Sequence, residues 1–206
     1  MLRSRSALAS VFISILVSGQ NLPDQWQLSP DGHLLTTDGQ EIPSGFYRQD
    51  TVRTIYLAFS QPDWWTQLQN NYDSQTPIMA TMAYNGNAYD SVGVRFKGST
   101  SYFMLPPGAE KMSFDIDMNE FVPGQEVGGY STLNLNNGFQ DNSVMREVVF
   151  EHFIRRHVPA AKASFMKLVI NGQNWGPYMN VQGLNARFID EWFFTDNGDR
   201  WRADRP

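Results

Sequence analysis

Apolar and polar residues alternate along several short stretches of the chain, and this period of two predicts β-strands. Segments 92–97 and 111–118 show it most clearly. In the first, valine and phenylalanine alternate with a polar face that carries Arg95 and Lys97. In the second, methionine, phenylalanine and isoleucine alternate with a polar face that begins at Lys111.

The turn residues between the apolar stretches divide the domain into successive elements. We predict strands at 51–60, 78–84, 88–96, 111–118, 165–170 and 175–182, and helices at 62–72, 141–157 and 184–193. Asn-Gly pairs at 85–86 and 171–172 predict two hairpins, because both residue types tolerate positive φ. We expect a loop at 98–108. This order predicts an α+β fold with an antiparallel sheet and one long helix.

The chain begins with a pattern typical of an export signal. Arg3 and Arg5 precede an apolar run from Ala7 to Val17, and small residues follow at 17–19. We therefore predict a signal peptide over residues 1–19, with a membrane anchor or a misplaced start codon as alternatives. Residues 20–50 are polar and rich in turn residues, which predicts a linker or arm before a domain at 51–206.

The amino-acid composition excludes several kinds of protein and of chemical site. Of 206 residues, 41% are hydrophobic and 18% are charged, so a packed core is expected. The net charge of −5 gives no general attraction to nucleic acid. The absence of cysteine excludes disulfides, thiolate zinc sites and cysteine nucleophiles. No second long apolar run follows the first, so we expect no membrane span in the mature chain.

Three basic residues on the predicted strands are candidates for binding phosphate. Arg95 and Lys97 share a strand face and precede a glycine and hydroxyl-rich loop, 98–101. Such a pair beside a flexible loop suits phosphate oxygens, and the alternative is an ordinary solvated strand face. Lys111, on the next long strand, either clamps a nucleotide phosphate or is a surface lysine.

The predicted long helix carries two more candidates. The neighbours of Arg146 three and four positions later are apolar, so an unpaired guanidinium there would be costly. Arg146 therefore either pairs with a carboxylate or phosphate, or extends its stem along the apolar surface. Glu147 lines up with Glu151 and Arg155 in a stripe that we predict to be solvated.

Other motifs give weaker signals. Asp115 and Asp117 share a strand face, but two carboxylates make a weak cation site. The acidic segment 196–199 lacks the spacing and closing glutamate of a calcium loop and is predicted to be a turn. The histidines show no ligand spacing, and no nucleophile elbow of a serine hydrolase is present. We predict no metal site.

Several collinear segments together resemble the CotH (spore coat protein H) kinase family, over roughly residues 50–205. The segments are Val92-Gly-Val-Arg-Phe-Lys-Gly-Ser99, Lys111-Met-Ser-Phe-Asp-Ile116, Leu133-Asn-Leu-Asn-Asn137, Asp141 through Met145-Arg-Glu147, Val158-Pro-Ala160, Leu168-Val-Ile-Asn-Gly172, Trp175-Gly-Pro-Tyr178 and Val181 to Phe188. Each segment alone is a modest match, but eight in the same order make a chance resemblance improbable.

The resemblance implies an atypical, protein-kinase-like fold. It also implies use of ATP with magnesium or manganese (Mg or Mn), and phosphorylation of serine-rich exported proteins at a secreted or cell-surface location. By the same resemblance Arg95, Lys97 and Lys111 face the nucleotide phosphates. Glu147 would orient a lysine through an ion pair, as in kinases. Residues 181–184 would lie near the hinge that meets adenine.

Two departures from the family pattern affect these expectations. Gln182 stands where a glutamate is expected; its amide can bind a ligand but cannot pair with a cation. The acid that positions the acceptor hydroxyl and the metal ligands are expected beyond Pro206. We therefore predict no catalytic residue within this chain, and we expect that residues 1–206 alone do not transfer phosphate.

Two other functions fit the same residues. The first is a non-catalytic coat, surface or adhesion protein on the same scaffold, because a fold does not fix a function. The second is a carbohydrate-binding module, because tryptophans can supply stacking surfaces. The tryptophans are Trp26, Trp64, Trp65, Trp175, Trp192 and Trp201.

Overall fold

A computed structural model of the protein describes residues 26–28, 34–36, 45–193 and 201. The strands in these parts of the chain are β1 (Trp26–Leu28), β2 (Leu34–Thr36), β3 (Arg53–Ala58), β4 (Ile78–Tyr84), β5 (Asn87–Lys97), β6 (Ser113–Asp117), β7 (Thr132–Asn136), β8 (Ala163–Ile170) and β9 (Gln173–Gln182). The helices are α1 (Trp64–Asn70), α2 (Thr100–Phe103), α3 (Arg146–Ile154) and α4 (Ala186–Trp192).

Seven of the described strands close into a barrel in the order β3-β4-β5-β6-β7-β9-β8. Neighbouring strands are antiparallel except at the closure, where β3 pairs in parallel with β8. The closing register runs from Arg53 opposite Met166 to Leu57 opposite Ile170. Strands β1 and β2 form a separate antiparallel pair.

The barrel interior is the hydrophobic core. Alternate residues of each strand point inward, and Phe96, Phe114, Ile116 and Leu135 are fully buried there. The same alternation places the polar residues of β5, β6 and β7 on the outer face, where Asp115 lies opposite both Arg95 and Asn134. The two-faced strand predicted at 92–97 is thus confirmed. The one predicted at 111–118 is confirmed over 113–117, and Lys111 precedes the strand rather than lying on it.

Both predicted hairpins are present. Strands β4 and β5 turn at Asn85 and Gly86, with φ values of 50° and 81°. Strands β8 and β9 turn at Asn171 and Gly172, with φ values of 49° and 80°. These positive angles are why asparagine and glycine mark the turns in the sequence.

The predicted α+β, kinase-like fold with a long helix is wrong, because the described chain is a closed barrel with short helices. Helix α3 covers only the nine residues of 146–154, not 141–157. Residues before it form a turn around the Asp141 carboxylate. The Asp141 carboxylate reaches the first N–H groups of α3 from this turn, so the helix begins five residues later than predicted.

Further elements differ from the sequence prediction or fall outside the described part. The predicted loop at 98–108 contains α2, and β7 is a strand that the sequence analysis did not identify. The predicted signal peptide, 1–19, lies outside the described residues. Within the segment predicted as a linker or arm, Phe46 and Tyr47 are buried against the barrel core.

Among the described residues, the helices are all too short and too polar to cross a membrane.

Candidate functional site

A cavity of about 540 Å³ opens beside the start of α3, next to the ends of β5 and β7. We call it the α3 pocket. Its lining residues are Lys97, Gly98, Ser101, Ser113, Asn136, Asn137, Gly138, Phe139, Gln140, Asp141, Arg146, Glu147, Phe150 and Met179. It therefore brings together Lys97, Arg146 and Glu147 from the predicted site. The glycine that follows β5 and a serine of α2 lie beside them.

Lys97, the last residue of β5, is half-buried at the edge of the pocket. Its ammonium donates to Asn134 Oδ1 at 2.8 Å. Burial lowers the pKa of Lys97, while the nearby carboxylates of Asp115 and Glu147 oppose that shift and Arg95 adds to it. In the described part of the chain no carboxylate forms an ion pair with Lys97.

Glu147, in the first turn of α3, faces β7 across the pocket. Both of its carboxylate oxygens accept from Asn136 Nδ2, at 2.8 and 2.9 Å. Glu147 is therefore held by an amide rather than by a lysine. The ion pair implied by the kinase resemblance does not form in this arrangement, although the charge of Glu147 still acts on Lys97.

The loop before α3 is organised by Asp141, which is 7% exposed. One carboxylate oxygen accepts from the backbone N–H groups of Met145 and Arg146, at 3.0 and 2.8 Å. Ser143 donates its hydroxyl and its N–H to the other oxygen, and together these bonds lower the pKa of Asp141 to about 2. The carboxylate thus satisfies the first free N–H groups of α3.

Arg146 reaches the same carboxylate. Its Nε lies 3.6 Å from Asp141 Oδ1, and its guanidinium also donates to the Gln140 carbonyl. The side chain is 77% exposed. Of the two alternatives for Arg146, pairing with a carboxylate is the one observed, and the exposed guanidinium remains accessible at the pocket.

Arg95 and Lys111 do not line the pocket. Arg95 pairs with Asp115 at 3.2 Å on the outer face of the sheet. The Lys111 ammonium lies 5.2 Å from the centre of the Tyr178 ring, and burial lowers its pKa. Both residues flank the strands that form the pocket but have protein partners of their own.

Gln182 belongs to a second polar cluster at α4. Its amide donates to Glu191 Oε2 at 2.8 Å and accepts from the backbone of Lys162 at 3.0 Å. The Lys162 ammonium pairs with the same Glu191 oxygen at 2.9 Å. A glutamate at position 182 would face the Glu191 carboxylate directly, so the amide fits this site better than the expected acid.

The predicted solvated stripe on α3 is wrong at its end. Arg155 is 1% exposed and its guanidinium lies 4.9 Å from the centre of the Trp192 ring. Burial lowers its pKa to about 10. A helical wheel could not show this, because the contact comes from α4.

Asn134 and Asn136 are not among the predicted site residues, although the segment that contains them contributes to the family resemblance. Their signal was the alternation of leucine with asparagine, which places both amides on one strand face. Asparagine is uncommon in strands, and this obscured β7.

Across residues 45–193 and 201, no group of three or more histidine, aspartate or glutamate side chains is arranged to hold a metal ion.

Comparison with known proteins identifies the family. The family model described as CotH kinase protein matches residues 94–205, which is more than half of the chain. No curated protein matches the chain. The matched range contains every residue that lines the α3 pocket. The chain therefore belongs to the CotH kinase family.

Proposed function

We propose that the α3 pocket binds the phosphate groups of ATP, and that the chain forms the nucleotide-binding part of a secreted or surface protein kinase of CotH type. Its substrates would be serine-rich exported proteins. The observation that carries the proposal is the Lys97 ammonium, which lies in the pocket without an ion-pair partner among the described residues.

The other groups in the pocket suit a phosphate. The exposed Arg146 guanidinium provides planar N–H donors, which match phosphate oxygens. Gly98 has a φ of 90°, a conformation that favours glycine and lets the backbone approach a ligand. Ser101 lies next to Gly98 and adds a hydroxyl donor.

The described residues fit one of the two expected cofactors. Lys97, Ser101 and Arg146 would hold the phosphates of ATP, which supplies the transferable phosphoryl group when bound. Magnesium or manganese would enter with the nucleotide, whose phosphate oxygens are ligands that these ions prefer. What this chain contributes is to bind and orient the phosphates.

The test is the affinity of the whole chain for ATP with magnesium or manganese, measured by calorimetry and by the shift in melting temperature. We expect ATP to raise the melting temperature, because a ligand that binds only the folded state stabilises it. Lys97→Met should weaken ATP binding by about tenfold or more, since it removes a charge-assisted contact worth ~1.5–3 kcal/mol.

Lys167→Met is the matched control, because Lys167 is exposed on β8 and does not line the pocket. It should leave the affinity unchanged. Equal affinity of the wild-type protein and the Lys97→Met variant would exclude the phosphate site. The roles of Arg95, Lys111 and Gln182 at the nucleotide stay predictions, and their separate partners lead us to expect smaller effects there.

A second candidate function is a non-catalytic adhesive or structural role. It is favoured by apolar side chains exposed along α3, where Val149, Phe150 and Phe153 are 40%, 61% and 58% exposed. Exposed apolar patches often mark protein-binding surfaces. A purely adhesive protein would show no change in melting temperature with ATP, so the same measurement separates the two functions.

A further inference from the structure

We infer that Asn134 and Asn136 are positioning residues of the α3 pocket. Their neutral amides hold Lys97 and Glu147 apart and so keep the positive charge of Lys97 available to an anionic ligand. This inference rests on the proposed phosphate site and names the residues that control its charge.

The Asn134 amide is held in one orientation. Its Nδ2 donates to the Val181 carbonyl of the neighbouring strand at 3.1 Å. That bond turns Oδ1 towards β5, where it accepts from Lys97 at 2.8 Å. The amide is thus fixed at both ends, and its oxygen locates the ammonium at the pocket.

Two acidic side chains, Asp115 and Glu147, act on Lys97 through their charge. Asp115 is paired with Arg95 at 3.2 Å, and Glu147 accepts from Asn136. Both carboxylates are therefore engaged elsewhere, and the hydrogen bond that Lys97 makes within the described part of the chain goes to a neutral oxygen. An amide dipole stabilises an ammonium without cancelling its net charge, whereas a carboxylate at the same distance would form an ion pair.

The spacing of the two asparagines on β7 places both amides on the same face of the sheet. Asn134 and Asn136 are two residues apart, so both side chains project from the same outer face. One amide presents its oxygen to the lysine and the other presents its N–H₂ to the glutamate. This pair of opposite contacts separates a lysine and a glutamate that would otherwise neutralise each other.

The experiment replaces the amide with an isosteric carboxylate, Asn134→Asp. Three quantities are measured on the whole chain. They are the affinity for tripolyphosphate and for ATP, the melting temperature, and the acetylation rate of Lys97 by acetic anhydride as a function of pH. Mass spectrometry follows acetylation, with Lys167 as the internal reference.

We expect Asn134→Asp to weaken tripolyphosphate and ATP binding about tenfold, because the new carboxylate competes for the ammonium. The pKa of Lys97 should rise and its acetylation should slow. The melting temperature should stay equal or increase. If Asn134 acted only by stabilising the fold, its replacement would weaken binding only together with a fall in melting temperature. Asn174→Asp adds the same charge at an exposed position on β9 and should change none of the three.

Failure of this inference can be told apart from failure of the proposed function. If the wild-type chain binds ATP but Asn134→Asp binds it equally well and Lys97 acetylation is unchanged, the inference is overturned and the phosphate site stands. If the wild-type chain binds neither anion, the proposed function fails. The acetylation profile then still decides whether Asn134 controls the charge state of Lys97.

Discussion

Two lysines on the barrel are held by different partners, and the difference separates a structural site from a site suited to a ligand. Lys162 contacts the Glu191 carboxylate at 2.9 Å and the Tyr130 hydroxyl at 3.0 Å. Lys97 contacts the Asn134 amide at 2.8 Å. Burial lowers the pKa of both lysines, so desolvation does not distinguish them.

The counter-charge is what differs. Burial opposes ionisation of Glu191, but hydrogen bonds from Lys162, Gln182 and Tyr130 outweigh it and lower its pKa. Its side chain is 8% exposed and also accepts from the Arg187 guanidinium at 3.2 Å, so its hydrogen-bond partners come from within the protein. Among the residues that the structure describes, no carboxylate contacts Lys97 directly, and its site opens into the α3 pocket. The Glu191 carboxylate pairs with the charge of Lys162 inside the protein, whereas the neutral Asn134 amide leaves the charge of Lys97 unpaired among the described residues, as the proposed phosphate site requires.

The largest effect should come from breaking the closed cluster with Glu191→Ala. The change removes the carboxylate that pairs with the Lys162 ammonium and whose charge also acts on the buried Arg155 guanidinium. We expect a loss of ~3–5 kcal/mol in the free energy of unfolding, measured with urea. Asp190→Ala, at the exposed neighbouring position, is the control. A loss as small as that of the control would contradict a structural role for the cluster.

A smaller effect is expected from Gln182→Glu, which restores the residue type expected from the family. The hydrogen bond to Glu191 becomes a contact between two acids, at a cost of ~1–3 kcal/mol near neutral pH. Like charges raise the pKa of such a pair, so the variant should recover stability relative to wild type as pH falls and one acid becomes protonated.

Urea unfolding of the Gln182→Glu variant at several pH values gives that recovery directly. Gln173→Glu, exposed at the start of β9, should show neither the loss nor the recovery. A loss that is independent of pH would mean that the Glu191 carboxylate is not what opposes the new charge.

The smallest effect concerns Asp141 at the pocket. Its pKa is lowered from 3.8 to about 2, so its ionised form stabilises the fold above about pH 4, and this contribution is lost as pH falls through 2. The variant Asp141→Asn should flatten this part of the melting-temperature profile. Asp73→Asn, at an exposed position, should not. Identical acid profiles for wild type and Asp141→Asn would show that the backbone contacts of Asp141 contribute no measurable stability.

The parts of the fold that depend on neighbouring residues could be predicted from the sequence. The turns at Asn85-Gly86 and Asn171-Gly172 need positive φ, and the two-faced strands need only an alternating pattern. Closure of the barrel could not be predicted in this way. It joins β3 to β8, more than a hundred positions apart, and no local pattern encodes such a pairing.

The same distinction between local and long-range information applies to the candidate site. Lys97 and Arg146 were identified because a charged residue beside an apolar face or a flexible loop stands out locally. The Asn134 contact with Lys97 spans two strands, and the Gln182 contact with Glu191 joins a strand to a helix. Such partners become visible only when the strand register is known.

The closure between β3 and β8 has a consequence for how the protein can be divided. The range that matches the family begins at 94, so it excludes β3, β4 and most of β5. Expressed alone, residues 94–206 would leave the rest of β5 without β4 and β8 without β3, and unpaired strand edges promote aggregation. The unit to express in solution should therefore begin before Phe46, well ahead of the point where the family resemblance starts.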